Sequence, residues 1–233
     1  MLQTLYLWKK KSKFWKEKKI KFNKMETRLM NLNRGMSPGN NDADVQNNIQ
    51  RLLMQEFPGE KLYGAEIGIA FGGGVESLCK IWGDRGFAYG LDTFCGHPKH
   101  LSDDVNSFEA VCMDGWYVDY GTDKITYEYI DEGLKSEGLT NYKLIKGEVH
   151  EKSLDGVEKL HYVLLDLDMI KPMKIAYEAI KDKMVKGGYI CLHDVIPADH
   201  LPMIHSWWYG EVMPLGLYQE YTQGKYLGVY KVL

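Results

Sequence analysis

The sequence predicts an α/β fold: a doubly wound, mostly parallel seven-stranded sheet with a C-terminal antiparallel hairpin. Three observations carry the prediction. Short apolar runs alternate with helix-period segments from residue 45 onward, the pattern of a parallel sheet covered on both faces. A glycine-rich turn at 68–74 joins the first apolar run to the next helical segment. The chain then closes on two β-prone runs, 217–222 and 226–232, separated by Gln223-Gly224-Lys225, which is a hairpin signature.

The elements follow in order. Residues 46–57 read as a helix stopped by Pro58-Gly59. Residues 62–69 form an apolar run ending in glycines, a buried strand. Residues 75–82 are helical, and 87–91 form a second strand. Segment 94–121 carries little periodicity and many turn residues. It is long for a structureless loop, so it reads as a functional lid or as short helices the pattern does not place. Residues 125–136 are helical, 142–145 form a short strand, and 161–167 a continuous apolar one. Residues 172–184 read as a helix with Pro172 near its first turn, ended by Gly187-Gly188. Residues 189–192 form a strand and 203–209 a short helix. Trp207-Trp208-Tyr209 read as core or interface, not as an aromatic platform.

At 233 residues, 45% hydrophobic and 26% charged, the chain fits one globular domain of larger than average size, or a domain with an appendage. Such a chain needs no disulfides to hold it. Cys79, Cys95, Cys112 and Cys191 are scattered without a CxxC pair, which argues against a zinc ribbon or a disulfide framework. No apolar run approaches the roughly 20 residues of a membrane helix. The apolar stretch 2–8 is short, and its charges follow it, the wrong order for a secretory signal. A cytoplasmic setting is expected.

The net charge of −3 hides an asymmetry. Residues 1–24 hold nine lysines and one acid, Glu17, or +8; the other 20 basic and 31 acidic residues give −11. Residues 1–44 therefore read as a basic arm and turn-rich linker, and 45–233 as the folded domain. The acidic domain argues against an extended nucleic-acid surface on the fold itself. The arm reads as a solvated extension or as a contact for an anionic partner.

In an open parallel sheet, ligands bind beyond the carboxyl ends of the strands, so the residues there carry the function. The first strand runs into Glu66, Gly68 and the run Gly72-Gly73-Gly74. Glycines let a backbone approach a ligand closely, and free N–H groups at a helix start favour an anion. A plain structural turn rarely needs three consecutive glycines. A dinucleotide fingerprint places its second glycine where this chain has Ala70, which favours a nucleoside ligand without a pyrophosphate. Asp92 ends the second strand, where an acid can accept hydrogen bonds from both ribose hydroxyls; the plainer reading is a solvated cap. Loop and acid together fit S-adenosyl-L-methionine.

These blocks resemble a family. Glu66-Ile67-Gly68…Gly72-Gly73, then Tyr89-Gly90-Leu91-Asp92-Thr93-Phe94…Gly96…Pro98, are similar to the class I methyltransferases of the macrocin O-methyltransferase group and their broader small-molecule relatives, which are Rossmann-like. A third block, Leu165-Asp166-Leu167-Asp168 with Lys186-Gly187-Gly188 and His193-Asp194, matches in order. The resemblance covers about residues 62–194. It implies cofactor contacts at Glu66, Gly68, Gly72, Gly73, Asp92, Thr93 and Asp166, and at Glu148 and Val149 in the turn that flanks the adenine. A helix start is the plainer reading of Glu148. The resemblance also implies a metal held by Asp166, His193 and Asp194. The chain departs from the macrocin type at His193, where that group has a second acid. Mg2+, a softer divalent cation and no metal all remain open; without one, Asp166 would orient the methionine end of the cofactor. Strand alternation puts Asp166 and Asp168 on one side.

The resulting expectation is methyl transfer from S-adenosylmethionine to a hydroxyl of a small acceptor, a sugar or natural product. Asp166, His193 and Asp194 are the catalytic candidates, with His193 or Asp194 accepting the proton. His97 and His100 stand near enough to Asp92 in sequence to reach a substrate. His161, His200 and His205 read as structural. Two rivals remain: an NAD(P)-dependent oxidoreductase on a related fold, and a methyltransferase-like binding protein docked through its arm. Self-association is left open.

Overall fold

The structure is a computed structural model that describes residues 42–96, 126–220 and 226–233. The lysine-rich arm and the segment with His97, His100 and Cys112 lie outside the described residues. The chain alternates α1 (Asp42–Glu56), β1 (Leu62–Ile67), α2 (Gly73–Trp82), β2 (Gly86–Asp92), α3 (Tyr127–Ser136), β3 (Tyr142–Lys146), β4 (Leu160–Leu165), α4 (Ile170–Ile180), β5 (Met184–Leu192), α5 (Pro202–Trp207), β6 (Leu217–Glu220) and β7 (Gly228–Val232). Among the described residues the seven strands form one sheet in the order β3-β2-β1-β4-β5-β7-β6. β1 to β5 pair in parallel, and β7 runs antiparallel between β5 and β6. This is the doubly wound sheet with a closing hairpin.

Strand alternation sorts the core onto two faces. Leu62, Ala88, Tyr162, Leu164, Tyr189 and Cys191 pack with α1, α2 and α3. Ala65, Ile67, Val163, Leu165, Ile190 and Leu192 pack with α4 and α5. All six residues of β4 are buried, as expected for a central strand covered on both sides. Trp208 is fully buried and Trp207 nearly so, in line with their reading as core.

Several boundaries differ from expectation. α1 starts at Asp42, so residues 42–44 are its first turn and not linker: Asp42 and Ala43 are buried, and acids sit well at a helix start. β1 and β4 end two residues before their apolar runs do; Gly68 turns the chain directly after β1 with φ 87°, and a left-handed turn at Asp168, φ 59°, follows β4. Gly187-Gly188 do not end a helix. α4 stops at Ile180, a 3-10 turn spans Lys181–Lys183, and the two glycines lie inside β5. The β4–β5 register shifts there, between Leu160 and Tyr162. Gly187 has φ 83°, and a Cβ on Gly188 would come within 2.9 Å of the His161 carbonyl oxygen. Glycine in a strand here marks an irregularity and a close backbone approach.

His161 is a buried histidine with a structural job. Its Nδ1 accepts the Tyr63 N–H at 3.1 Å, and its ring meets Phe57 edge-on at 4.9 Å between centroids. Burial pushes its pKa below the ordinary value, Lys159 adds to this, and Glu60 opposes it. A folded pKa below the unfolded one means that the folded state binds fewer protons. The stabilisation is present above the unfolded value near pH 6.5 and is lost as pH falls toward the folded pKa. We expect urea stability to decline between pH 7 and 5.5 with a His161 contribution of at most about 1.4 kcal/mol per pH unit. His161→Asn, which retains an acceptor, should flatten that slope; an unchanged slope would count against it.

Candidate functional site

The site is built on one row of strand ends. The N–H of Gly68 donates to Leu91 O at 2.9 Å, that of Asp166 to Ile67 O at 2.9 Å, and that of His193 to Leu165 O at 3.0 Å. Each is the first residue past its strand. The ladders of β2, β1, β4 and β5 thus bring Asp92, Gly68, Asp166 and His193 to one level on the carboxyl edge. The sheet order reverses between β1 and β4, the switch point where such sheets bind ligands.

Backbone strain marks the same edge. Among the described residues the non-glycine positions with positive φ are Ala70 (43°), Phe94 (55°), Asp168 (59°) and Asp194 (58°). They follow β1, β2, β4 and β5 in turn. Left-handed conformations cost alanine and phenylalanine about 1–2 kcal/mol each, and such strain collects at functional sites.

Two acids hold the glycine loop. Glu66 is 2% exposed, and its Oε2 accepts the Val75 N–H at 2.7 Å. The carboxylate lies against Gly74, where any Cβ would collide with it. Glu66 therefore sits beneath the loop and fixes the start of α2. Gly72 caps that helix at φ 77°, and Gly73 opens it. From the other side, Asp92 Oδ2 accepts the N–H groups of Ile69 at 2.9 Å and Ala70 at 3.2 Å, while Oδ1 accepts that of Phe94 at 2.8 Å. Thr93 Oγ1 donates to Gly96 O at 2.7 Å and so shapes the turn after β2. Glu148 and Val149 follow β3 on the same edge, beside Asp92, whose carbonyl accepts the Gly147 N–H at 2.9 Å. Turns, not a regular helix, follow them, which removes the helix-start reading of Glu148.

Beyond β4 and β5 stands a cluster of acids and imidazoles. His193 Nδ1 lies 3.4 Å from Asp166 Oδ1 and 3.1 Å from Asp194 Oδ2. His200 Nε2 lies 3.2 Å from Asp194 Oδ1, and its ring stacks on Tyr226. Burial disfavours a charged His193, yet the two flanking carboxylates outweigh it and hold its pKa well above the ordinary value. Burial raises Asp166, partly offset by His193. Asp194 is also buried, but His193 and His200 pull it far below the usual carboxylate range. The Asp194 hydrogen bond raises His200.

One ligand atom each from Asp166, His193 and Asp194 lies within 4.8 Å of the other two. Nδ1 of His193 is buried and makes no well-aligned hydrogen bond among the described residues. Two carboxylate oxygens and an imidazole nitrogen this close together suit a divalent cation of intermediate hardness. Asp168 is not one of these three residues, though its charge reaches Asp166 and His200.

Two contributors went unread in the sequence. Asp42 is fully buried and reaches the far side of His193, with Oδ2 3.7 Å from Nε2. His200 joins through Asp194. The acidic start Asp42-Ala43-Asp44 signals a helix terminus, but nothing local announces a partner 151 positions away.

No protein-family model and no curated protein sequence matches the chain. Solved structures do. The chain is similar to the O-methyltransferase NovP, with 14% identity over 82% of this chain and 80% of that one and a TM-score of 0.64. It is similar to the calicheamicin methyltransferase CalS11, with 17% identity over 80% and 77% and a TM-score of 0.61. It also resembles an rRNA methylase from Streptococcus thermophilus, with 14% identity over 81% and 95% and a TM-score of 0.52. At these identities the likeness establishes the fold: the Rossmann-like sheet that these methyltransferases use. Among the described residues no helix is long and apolar enough to cross a membrane.

Proposed function

We propose that the chain is an S-adenosylmethionine-dependent methyltransferase acting on a hydroxyl of a small acceptor, a sugar or natural product, with a divalent cation assisting. One observation carries the reading: a glycine loop fastened to a strand-end acid lies at the same level, across the switch point, as the Asp166–His193–Asp194 cluster. The first half suits a nucleoside with a carboxylate, and the second suits an oxygen acceptor. When bound, the cofactor supplies an electrophilic methyl group and the cation would polarise the acceptor oxygen.

The chain's own residues divide the remaining work. Gly68, Gly72 and Gly73 shape the loop that faces the cofactor, and Glu66 holds it from below. Asp92 and Thr93 set the ribose edge, with Glu148 and Val149 beside the adenine. Asp166, His193 and Asp194 would hold the cation; of the two candidate bases, Asp194 has the free lone pair, because the flanking carboxylates hold His193 protonated. Fixing both reactants on rigid strand ends supplies most of the acceleration, because methyl transfer needs an in-line approach at near-attack distance.

The likeness to NovP and CalS11 supports O-methylation; the likeness to an rRNA methylase shows that the fold alone does not choose the acceptor. Against the oxidoreductase reading, the Ile69 and Ala70 N–H groups face Asp92, where a dinucleotide loop would offer such groups to a pyrophosphate. A cytoplasmic setting completes the proposal, with catalysis in the domain from Asp42 onward and the +8 arm meeting an anionic partner. Isothermal titration should show S-adenosylmethionine binding in the micromolar range and none for NADH. No heat at millimolar S-adenosylmethionine would overturn the reading.

A further inference from the structure

We propose that the chain works at an anionic lipid surface, with the carboxyl edge of the sheet facing the headgroups. Such docking deepens the proposed function and rests on its reading of the arm and of the site. Two observations support it: where the arm joins the domain, and what stands exposed on the same edge.

The arm meets the domain beside the site. Residue 41 is bonded to Asp42, which opens α1 and is fully buried. Asp42 Oδ2 accepts the Tyr226 N–H at 3.2 Å and lies 3.7 Å from His193 Nε2. His193 is the first residue past β5, so the root of the arm is fixed at the carboxyl edge. Between Lys24 and that root run residues 25–41, which span at most about 60 Å. A spacer that long does not by itself decide which way the domain faces; its own surface does.

The carboxyl edge has a surface of the right kind. Lys171, in the first turn of α4, and Lys174 are both exposed and stand three apart, on one side of the helix. Lys174 Nζ lies 5.8 Å over the Trp207 ring, which joins it to α5. Met203, in the first turn of α5, is 38% exposed, and Pro197 before it is exposed as well. The 3.2 Å contact between His200 and Asp194 keeps that loop beside the site. Asp199, exposed in the same loop, offsets part of the positive charge. Lysines beside exposed apolar side chains suit a headgroup layer, where ammonium groups meet phosphates and apolar groups enter below them.

The composition of the arm matches. Residues 1–24 combine nine lysines with Tyr6, Trp8, Phe14, Trp15 and Phe22. Polybasic segments are drawn to anionic lipid, and tryptophan and tyrosine favour the membrane–water boundary. Single-stranded RNA also attracts lysines and stacks on aromatic rings, but it is held in a basic groove that tracks its backbone. Residues 25–233 carry −11, which favours the lipid surface.

The test mixes the full chain with vesicles of phosphatidylcholine alone or of phosphatidylcholine with phosphatidylserine, and measures bound protein by flotation. The chain should bind the phosphatidylserine vesicles, leave them as salt rises, and bind the neutral ones far more weakly. Lys9→Gln, Lys10→Gln, Lys11→Gln and Lys13→Gln combined should cut binding by at least about 100-fold. Lys171→Glu should weaken it by about tenfold or more. Lys61→Glu, the same charge change just before β1 at the amino edge, should cost less than about threefold. Equal losses from these two single variants overturn the orientation. No binding to either vesicle, or equal binding to both, overturns the docking. Tighter capture by single-stranded polyuridylate, lost in the same fourfold lysine variant, also overturns it and gives the arm a nucleic-acid partner. Calorimetric titration with S-adenosylmethionine, run without vesicles, separates the two readings. Cofactor binding without vesicle binding sinks the docking alone; vesicle binding without cofactor binding sinks the methyltransferase reading alone.

Discussion

Gly68→Ala should cost about 3 kcal/mol or more of folding stability and abolish cofactor binding. Two penalties combine. The residue holds φ 87°, a conformation that costs an L-residue about 1–2 kcal/mol. A Cβ built there also runs into the Asp166 carbonyl group, lying 2.7 Å from its carbon. That carbonyl cannot step aside cheaply. The Asp166 N–H is bonded to Ile67 O and the Gly68 N–H to Leu91 O, so the clash is wedged between central strands. Overpacking of this kind adds about 1–3 kcal/mol. Gly72→Ala is the internal comparison, because its φ of 77° carries the backbone penalty. Urea unfolding of both variants measures the difference. A loss below about 1 kcal/mol for Gly68→Ala, well under the sum of those penalties, would show that the strand ends part more readily than the packing indicates.

Asp92→Asn should leave the protein folded and weaken S-adenosylmethionine binding by at least about 100-fold, near 2.7 kcal/mol. The carboxylate accepts three backbone N–H groups, from Ile69, Ala70 and Phe94. Ala70 and Phe94 are strained, so Asp92 anchors the loop, and the proposed function gives it the ribose as well. An amide keeps one accepting oxygen and turns the other end into a donor, which opposes N–H groups and ribose hydroxyls differently. Asp92→Ala removes the acceptors altogether, and leaving buried N–H groups unmet costs about 1–3 kcal/mol of stability in addition. Calorimetric titration of the folded Asn variant isolates the binding role. Wild-type affinity there would confine Asp92 to holding the loop.

Much of this architecture is legible in local pattern. Apolar runs separated by helical segments suffice for five parallel strands and a hairpin, because burial on both faces writes itself as continuous hydrophobic stretches. The glycine loop and Asp92 announce themselves by residue type and spacing. What escapes is whatever depends on where a strand stops. Leu167 is as apolar as Leu165, yet β4 ends at Leu165. Gly187 and Gly188 read as a helix stop since glycine serves both ends and bulges. Asp42 reads as linker because Asn, Gly and Asp neighbours dominate its composition, while its value lies in a contact with His193 that only the folded sheet creates. The same holds for Glu66: its type suggests a ligand contact, and its burial under Gly74 shows a support.

The two outer strands of the sheet also bear on how copies of this chain avoid one another. A sheet edge offers unpaired backbone groups to any passing strand, and proteins blunt it with short strands or lysines. β3, at one edge, is five residues long and exposes Lys143 and Lys146. β6, at the other, has four residues. Edge-to-edge growth of the sheet formed by the described residues is therefore disfavoured on both flanks.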